Sequence, residues 1–163
     1  MSKTLLATYD SPVDVETVFA ALSGPQWAPR KAEQLHDGST TVGREVAADG
    51  GVQLAVSRAL PDGVPGFLTR FLPRDGRVVQ TDTWGPDQAG IRRGTWRADL
   101  PGAPATIGGT MRLEPIATGT RYTIEGEVTV TIPLVGGKAE SFVVDMILKL
   151  TARENDVLQE MVR

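Results

Sequence analysis

The segment from Lys138 to Met161 places the strongest limit on what this chain can fold into. Its apolar residues Ala139, Val143, Met146, Leu150, Val157 and Met161 recur in steps of three and four, with one gap at Glu154. That spacing predicts a helix with a single apolar stripe. At 1.5 Å per residue the helix is about 36 Å long. A stripe of that length needs an apolar sheet face to lie on, so the rest of the chain is read for one.

The strand signals follow. Lys3 to Tyr9 reads as a strand. Ser11 and Pro12 are expected to open a helix, with Asp14 in its first turn. Val15, Val18, Phe19 and Leu22 give it one apolar stripe, and Ser23-Gly24-Pro25 ends it. Trp27 to Leu35 is a second short helix. From Ser39 the period drops to two: Val42 and Val46, then Val52, Leu54 and Val56, with Asp49-Gly50-Gly51 as a hairpin turn. Four further strands are predicted over Arg77–Trp84, Ile91–Leu100, Thr106–Glu114 and Thr120–Ile132. The last is the clearest. Tyr122, Ile124, Val128, Val130 and Ile132 take one face; Arg121, Thr123, Glu125, Glu127, Thr129 and Thr131 take the other, as in an antiparallel strand with one wet side. Pro61 to Asp75 breaks the pattern, and Phe67, Leu68, Phe71 and Leu72 fit a short helical turn between Pro65 and Pro73.

Composition narrows the function classes. The chain has 163 residues, the size of a single domain spanning 1–163. It has no cysteine, which excludes disulfides, thiolate metal sites and cysteine nucleophiles. A net charge of −3 with scattered arginines argues against nucleic acid as a partner. The longest apolar stretch, Phe142 to Leu150, is interrupted by Asp145 and Lys149, so no integral membrane segment is expected. Leu5-Leu6-Ala7 is too short for a signal-peptide core. The expectation is a soluble, cytoplasmic protein.

Gly136-Gly137-Lys138 resembles a phosphate loop by its letters only. That motif needs a glycine where Ile132 stands and a Ser or Thr where Ala139 stands. The glycines are instead expected to turn the chain between the last strand and the long helix. His36, the single histidine, reads as an exposed helix-end residue. No His or Cys cluster suits a metal, no carboxylate pair has a spacing that singles it out for catalysis, and no cofactor is implied.

The order strand, two helices, six strands, long helix resembles the helix-grip fold of the START-like (polyketide cyclase, SRPBCC) superfamily. The segments "TYDSPVDVETVFAAL", "PQWAPRKAEQL" and "TVTIPLVGGKAESFVVDMI" carry the resemblance. The last, with Pro133, Gly136-Gly137-Lys138 and Glu140, is similar to an actinobacterial branch. The resemblance implies an α+β fold: a curved antiparallel sheet of about seven strands around a long C-terminal helix, two short helices after strand 1, and an apolar cavity between sheet and helix. It implies no fixed chemistry.

Several residues are candidates for that cavity. Arg58 follows Val52, Leu54 and Val56 in strict alternation, Arg44 lies between Val42 and Val46, and Arg92 shares parity with Trp96. A desolvated arginine there wants an anion, and an organic carboxylate suits its planar fork. The alternative, favoured for each, is a snorkelling side chain or a structural pair with an acid such as Glu154. Trp84, Trp96, Met111, Tyr122, Phe142, Met146 and Leu150 are candidate lining residues, read individually as ordinary core. Phe67, Leu68, Phe71 and Leu72 form either a portal flap or a plug.

Three functions are compatible with this. The first is binding or carriage of an apolar small molecule (a lipid, fatty acid or polyketide-like compound), without catalytic residues. The second is a cyclase- or hydrolase-type enzyme in the same cavity, which calls for a titratable residue such as Asp82 or Glu154 beside Tyr122. The third is an interaction module, monomeric or homodimeric, using the wet sheet face with Arg93, Arg97, Arg112 and Arg121.

Overall fold

The computed structural model covers Met1–Arg163. Its elements are β1 (Ser2–Ser11), α1 (Val15–Ser23), α2 (Trp27–Leu35), β2 (Thr40–Val46), β3 (Val52–Ala59), α3 (Gly66–Thr69), β4 (Arg77–Gln88), β5 (Ile91–Asp99), β6 (Ala105–Ile116), β7 (Gly119–Val130) and α4 (Gly136–Val162). The strands form one antiparallel sheet in the order β1-β7-β6-β5-β4-β3-β2. α1 and α2 carry the chain from one edge of the sheet to the other; from β2 to β7 successive strands pair with one another. This is the expected curved sheet with its long helix. No helix is long and apolar enough to cross a membrane.

Alternation sets the two faces. Val52, Leu54, Val56 and Arg58 of β3 are all buried, as are Ile124, Val128 and Val130 of β7. Arg121, Glu125 and Glu127 are exposed. Four register partners form a row across the sheet: Trp96, Gly109, Gly126 and Leu5. With no side chain on either glycine, the Trp96 indole lies over them. A Cβ on Gly126 would sit 2.6 Å from the indole, and one on Gly109 would collide with the Glu125 carbonyl. The indole Nε1 donates to that carbonyl at 3.0 Å.

Several expectations are corrected. α1 does not open at Ser11-Pro12. Ser11 stays in β1, paired with Thr120, and Asp14 is the cap, accepting from the Thr17 amide at 2.8 Å. Val42 and Val46 are not core: they are 57% and 62% exposed. β2 is an edge strand with a bulge between Thr41 and Gly43, which shifts its register. Arg44 is exposed rather than buried in the concave side, and its Nε donates to the Ser23 carbonyl at 2.8 Å. β4 runs past Trp84 to Gln88 through a bulge, and the turn to β5 is made at Ala89 and Gly90, both at positive φ.

The joint before α4 works differently from the expectation as well. Neither Gly136 nor Gly137 has positive φ; the left-handed residue is Leu134, at φ 72°. Gly136 serves close approach instead, because a Cβ there would sit 2.6 Å from the Val130 carbonyl, while one on Gly137 meets nothing. The helix starts two residues before the expected Lys138. Glu140, 1% exposed, accepts from the Val130 amide at 2.9 Å and ties the first turns of α4 to the end of β7. α4 packs closely on β1, β7, α1 and α2, and its backbone stands away from β3 to β6.

The two kinds of glycine respond oppositely to a methyl group. Gly109→Ala is expected to destabilise by about 3 kcal/mol or to block folding, since overpacking a rigid backbone contact exceeds the usual cost. Gly137→Ala is expected to stabilise by roughly 0.5–1 kcal/mol through helix propensity. Urea unfolding of both variants measures the contrast.

Candidate functional site

The site lies where α4 stands off the sheet. Two cavities of about 70 Å³ each open there. The first has a polar end, formed by Arg58, Gln80, Tyr122, Thr151 and Glu154, and apolar walls that include Trp96, Met111, Ile124, Met146 and Leu150. The second is almost wholly apolar and is lined by Leu68, Phe71, Leu72, Phe142 and Met146 among others. The two share Leu60, Leu100, Ile107, Val143 and Met146, so one thin apolar partition separates them.

Strand alternation aims the polar groups. Arg58 on β3 and Gln80 and Asp82 on β4 have the parity of the buried face. Arg58 Nη1 donates to Gln80 Oε1 at 3.1 Å, and Gln80 Nε2 donates to Asp82 Oδ1 at 3.0 Å. Arg58 is 7% exposed, and its Nε is buried without a partner. None of the ion pairs in the molecule includes it. Glu154, the acid expected to pair with it, is taken by Lys31 of α2 at 2.8 Å. That lysine is 2% exposed and lies 5.3 Å from the centroid of the Trp27 ring.

The titrating groups reflect this enclosure. Burial pushes the Asp82 carboxyl up to about 6; Glu154 adds to the rise, while the Gln80 hydrogen bond, Lys31 and Arg58 oppose it. Asp82 is half-buried by surface area. Its surroundings are nonetheless protein on both neighbouring strands, at Leu54 and Trp96, so desolvation is the dominant cause. Burial also raises the Tyr122 phenol well above its ordinary value, with Asp82, Glu154 and Tyr9 contributing. The Tyr122 hydroxyl faces the Met111 sulfur at 3.7 Å, and Tyr9 and Thr151 hydroxyls meet at 3.1 Å. The first cavity is thus apolar along α4 and polar at Arg58. No cluster of His, Cys, Asp and Glu suits a metal.

The candidate residues thus separate by place. Arg58, Trp96, Met111, Tyr122, Met146 and Leu150 line the first cavity. Phe142, Leu68, Phe71 and Leu72 line the second. Phe67 lies outside both, with Lys138 Nζ 5.5 Å from its ring centroid. Trp84 packs beside the site, edge-on to Phe19 and tilted against Tyr122. Arg92 is elsewhere: it stacks 3.9 Å from the Phe19 ring centroid, grips Glu16 at 2.7 and 3.0 Å, and donates to the Gly50 and Gly85 carbonyls. It joins α1 to the β2–β3 turn and to β4. Lys31 and Gln80 were not singled out from the sequence. Lys31 sits one helical turn after the buried Trp27, a spacing that puts both on one face.

The comparisons agree with the architecture. A protein of Thermus thermophilus, TTHA0849, has a crystal structure that superposes with a TM-score of 0.62 at 18% identity, covering 98% of this chain and 97% of that one. A point mutant of norcoclaurine synthase from the plant Thalictrum flavum, in complex with a transition-state analogue, superposes with a TM-score of 0.62 at 13% identity, covering 99% and 94%. Both have the START-like helix-grip fold, and so does this chain. A Mycobacterium tuberculosis protein described as uncharacterized is 29% identical over 155 residues, covering 91% of this chain and 88% of the relative. The actinobacterial branch indicated by the sequence is that of the family described as "Protein of unknown function (DUF2505)", which matches residues 7–162 and to which this chain belongs.

Proposed function

We propose that the protein binds an apolar small molecule between the sheet and α4, and does so in the cytoplasm. The observation that carries this reading is the pair of adjoining cavities under α4. The apolar residues there, Phe142, Val143, Met146 and Leu150, remain only half-buried although they face the sheet. A folded chain that gained only stability from this face would pack it fully. At about 70 Å³ each, the cavities lie well below the roughly 300 Å³ at which small-molecule pockets begin. Occupancy therefore requires the partition to open. Met146, which borders both cavities, is unbranched and adaptable enough to swing aside.

A second reading, acid–base chemistry at the same end of the sheet, is favoured by Asp82, which lines neither cavity and is joined to the first through Gln80. A carboxyl titrating at about 6 beside a buried phenol is the kind of group a general acid or base requires. The same fold houses catalysis in norcoclaurine synthase, whose structure has been determined with dopamine and hydroxybenzaldehyde.

Native mass spectrometry of freshly purified protein, followed by solvent extraction, tests the first reading. The expected result is a second mass series carrying an apolar adduct, or its appearance after incubation with medium-chain apolar compounds. Protein that stays apo and shows no thermal shift with any of them removes the reading.

Asp82 makes a separate prediction for stability. Its folded pKa lies above its unfolded value, so ionising it destabilises the fold. The penalty is absent below pH about 4, grows between about 4 and 6, and is complete above 6. Asp82→Asn is expected to stabilise by up to about 3 kcal/mol at pH 7.5, and by nothing at pH about 4. Chemical denaturation across that range reads it. If catalysis is the function, the same variant loses turnover while becoming more stable.

A further inference from the structure

We propose that the polar end of the first cavity is a seat for an organic carboxylate, held by the Arg58 guanidinium. The inference rests on the ligand-binding reading above and names the head group that the cavity takes.

The argument begins with charge. A buried guanidinium is expected to have a carboxylate beside it, because an unpaired charge out of water is costly. Arg58 has none. Its one hydrogen bond goes to a neutral amide, Gln80, and its Nε–H is buried without an acceptor. The other buried cation near the site, Lys31, is fully answered by Glu154 at 2.8 Å. Arg92 is likewise answered by Glu16 and two carbonyls. Arg58 alone among the three is left short, and it alone lines an apolar cavity. A carboxylate accepts two parallel N–H bonds from one guanidinium edge, and that fork geometry is what Arg58 leaves unused.

The neighbouring charges allow an anion there. Glu154 borders the same cavity, but Lys31 neutralises it. Asp82 is the nearest other acid, reached from Arg58 only through the Gln80 amide. The remaining groups facing this end are the neutral hydroxyls of Tyr122, Tyr9 and Thr151. An anion on Arg58 competes with Asp82 for the same positive charge, so binding draws a proton onto Asp82. Affinity for the carboxylate therefore falls as pH rises through about 6, where Asp82 ionises.

Titration calorimetry with octanoate and 1-octanol, on the wild type and on Arg58→Met, tests the proposal. The two ligands share a tail and differ only in the head. The wild type is expected to bind octanoate about tenfold or more tightly than 1-octanol, a ratio equal to about 1.4 kcal/mol. Arg58→Met is expected to lose that preference, keep its affinity for 1-octanol, and melt no lower than the wild type, since the substitution removes an unpaired buried charge. Equal binding of the two ligands by the wild type overturns the proposal and leaves the ligand-binding reading standing. So does an Arg58→Met protein that melts far lower, which marks Arg58 as structural. Binding of neither ligand overturns the ligand-binding reading and this proposal with it.

Discussion

The contact between the Trp96 indole and the two glycines beneath it organises this molecule. Gly109 and Gly126 face one another across β6 and β7, in register with Trp96 on β5. A side chain on Gly126 would collide with the indole, and one on Gly109 with the Glu125–Gly126 backbone. Without them the ring lies flat on the backbone and donates to the Glu125 carbonyl at 3.0 Å. An aromatic covering glycines on a neighbouring strand is a known way of bending a sheet without losing its stability. It also sets the cavity, because the exposed side of the indole is one of its walls.

Buried charge is then distributed unevenly over this frame. In the helical layer Lys31 of α2 and Glu154 of α4 are paired, and the Lys31 ammonium also lies near the Trp27 ring. Arg92 makes four hydrogen bonds and a cation–π contact where α1 meets the sheet. On the sheet side of the cavity Arg58 Nε is left without a partner, as are Trp84 Nε1 beside the site and Glu140 Oε1 near the start of α4. Buried polar networks gain from being fully satisfied and lose when partly so. Of the three buried cations two are satisfied, and the third, left short, is the one beside the cavity. Strain and incompleteness of this kind collect where proteins bind or react.

Much of this was readable in the sequence, and the boundary of what was readable is physical. The helix of α4 and the alternation of β7 are periodic signals that the structure follows, although within the α4 stripe only Ala139 and Val157 are buried and the burial extends to Ile147, Leu158 and Val162. Arg58 was legible by parity, because β3 carries no bulge between Val52 and Arg58. Val42 failed for the opposite reason: a bulge in β2 lies next to it, and edge strands lack the cover that alternation assumes. Lys31 was hidden because lysine on a short polar helix reads as solvent-facing, although its spacing from Trp27 placed it inward. The Trp96–Gly109–Gly126 row could not be seen at all, since it needs the register of three strands that are distant in sequence. Leu134 took the left-handed position that glycine normally fills, with two glycines standing only two and three residues further on.

The same contacts determine how the cavities can enlarge. α4 is fixed near its start by Glu140 on the Val130 amide, and in its second half by Glu154 on Lys31 and Gln159 on Ser11. A helix held at both ends by buried or half-buried bonds does not swing outward as a unit. The segment from Pro61 to Asp75 is held differently. Its backbone hydrogen bonds are short-range, from Leu68 to Pro65, Phe71 to Leu68 and Leu72 to Thr69. What fastens it to the body is the apolar contact of Leu68, Phe71 and Leu72 with the second cavity. Segments with few long-range backbone bonds open at low free energy. By these contacts α3 and its flanks are held to the body less firmly than α4 or than Arg58, which is paired with Val78 of β4.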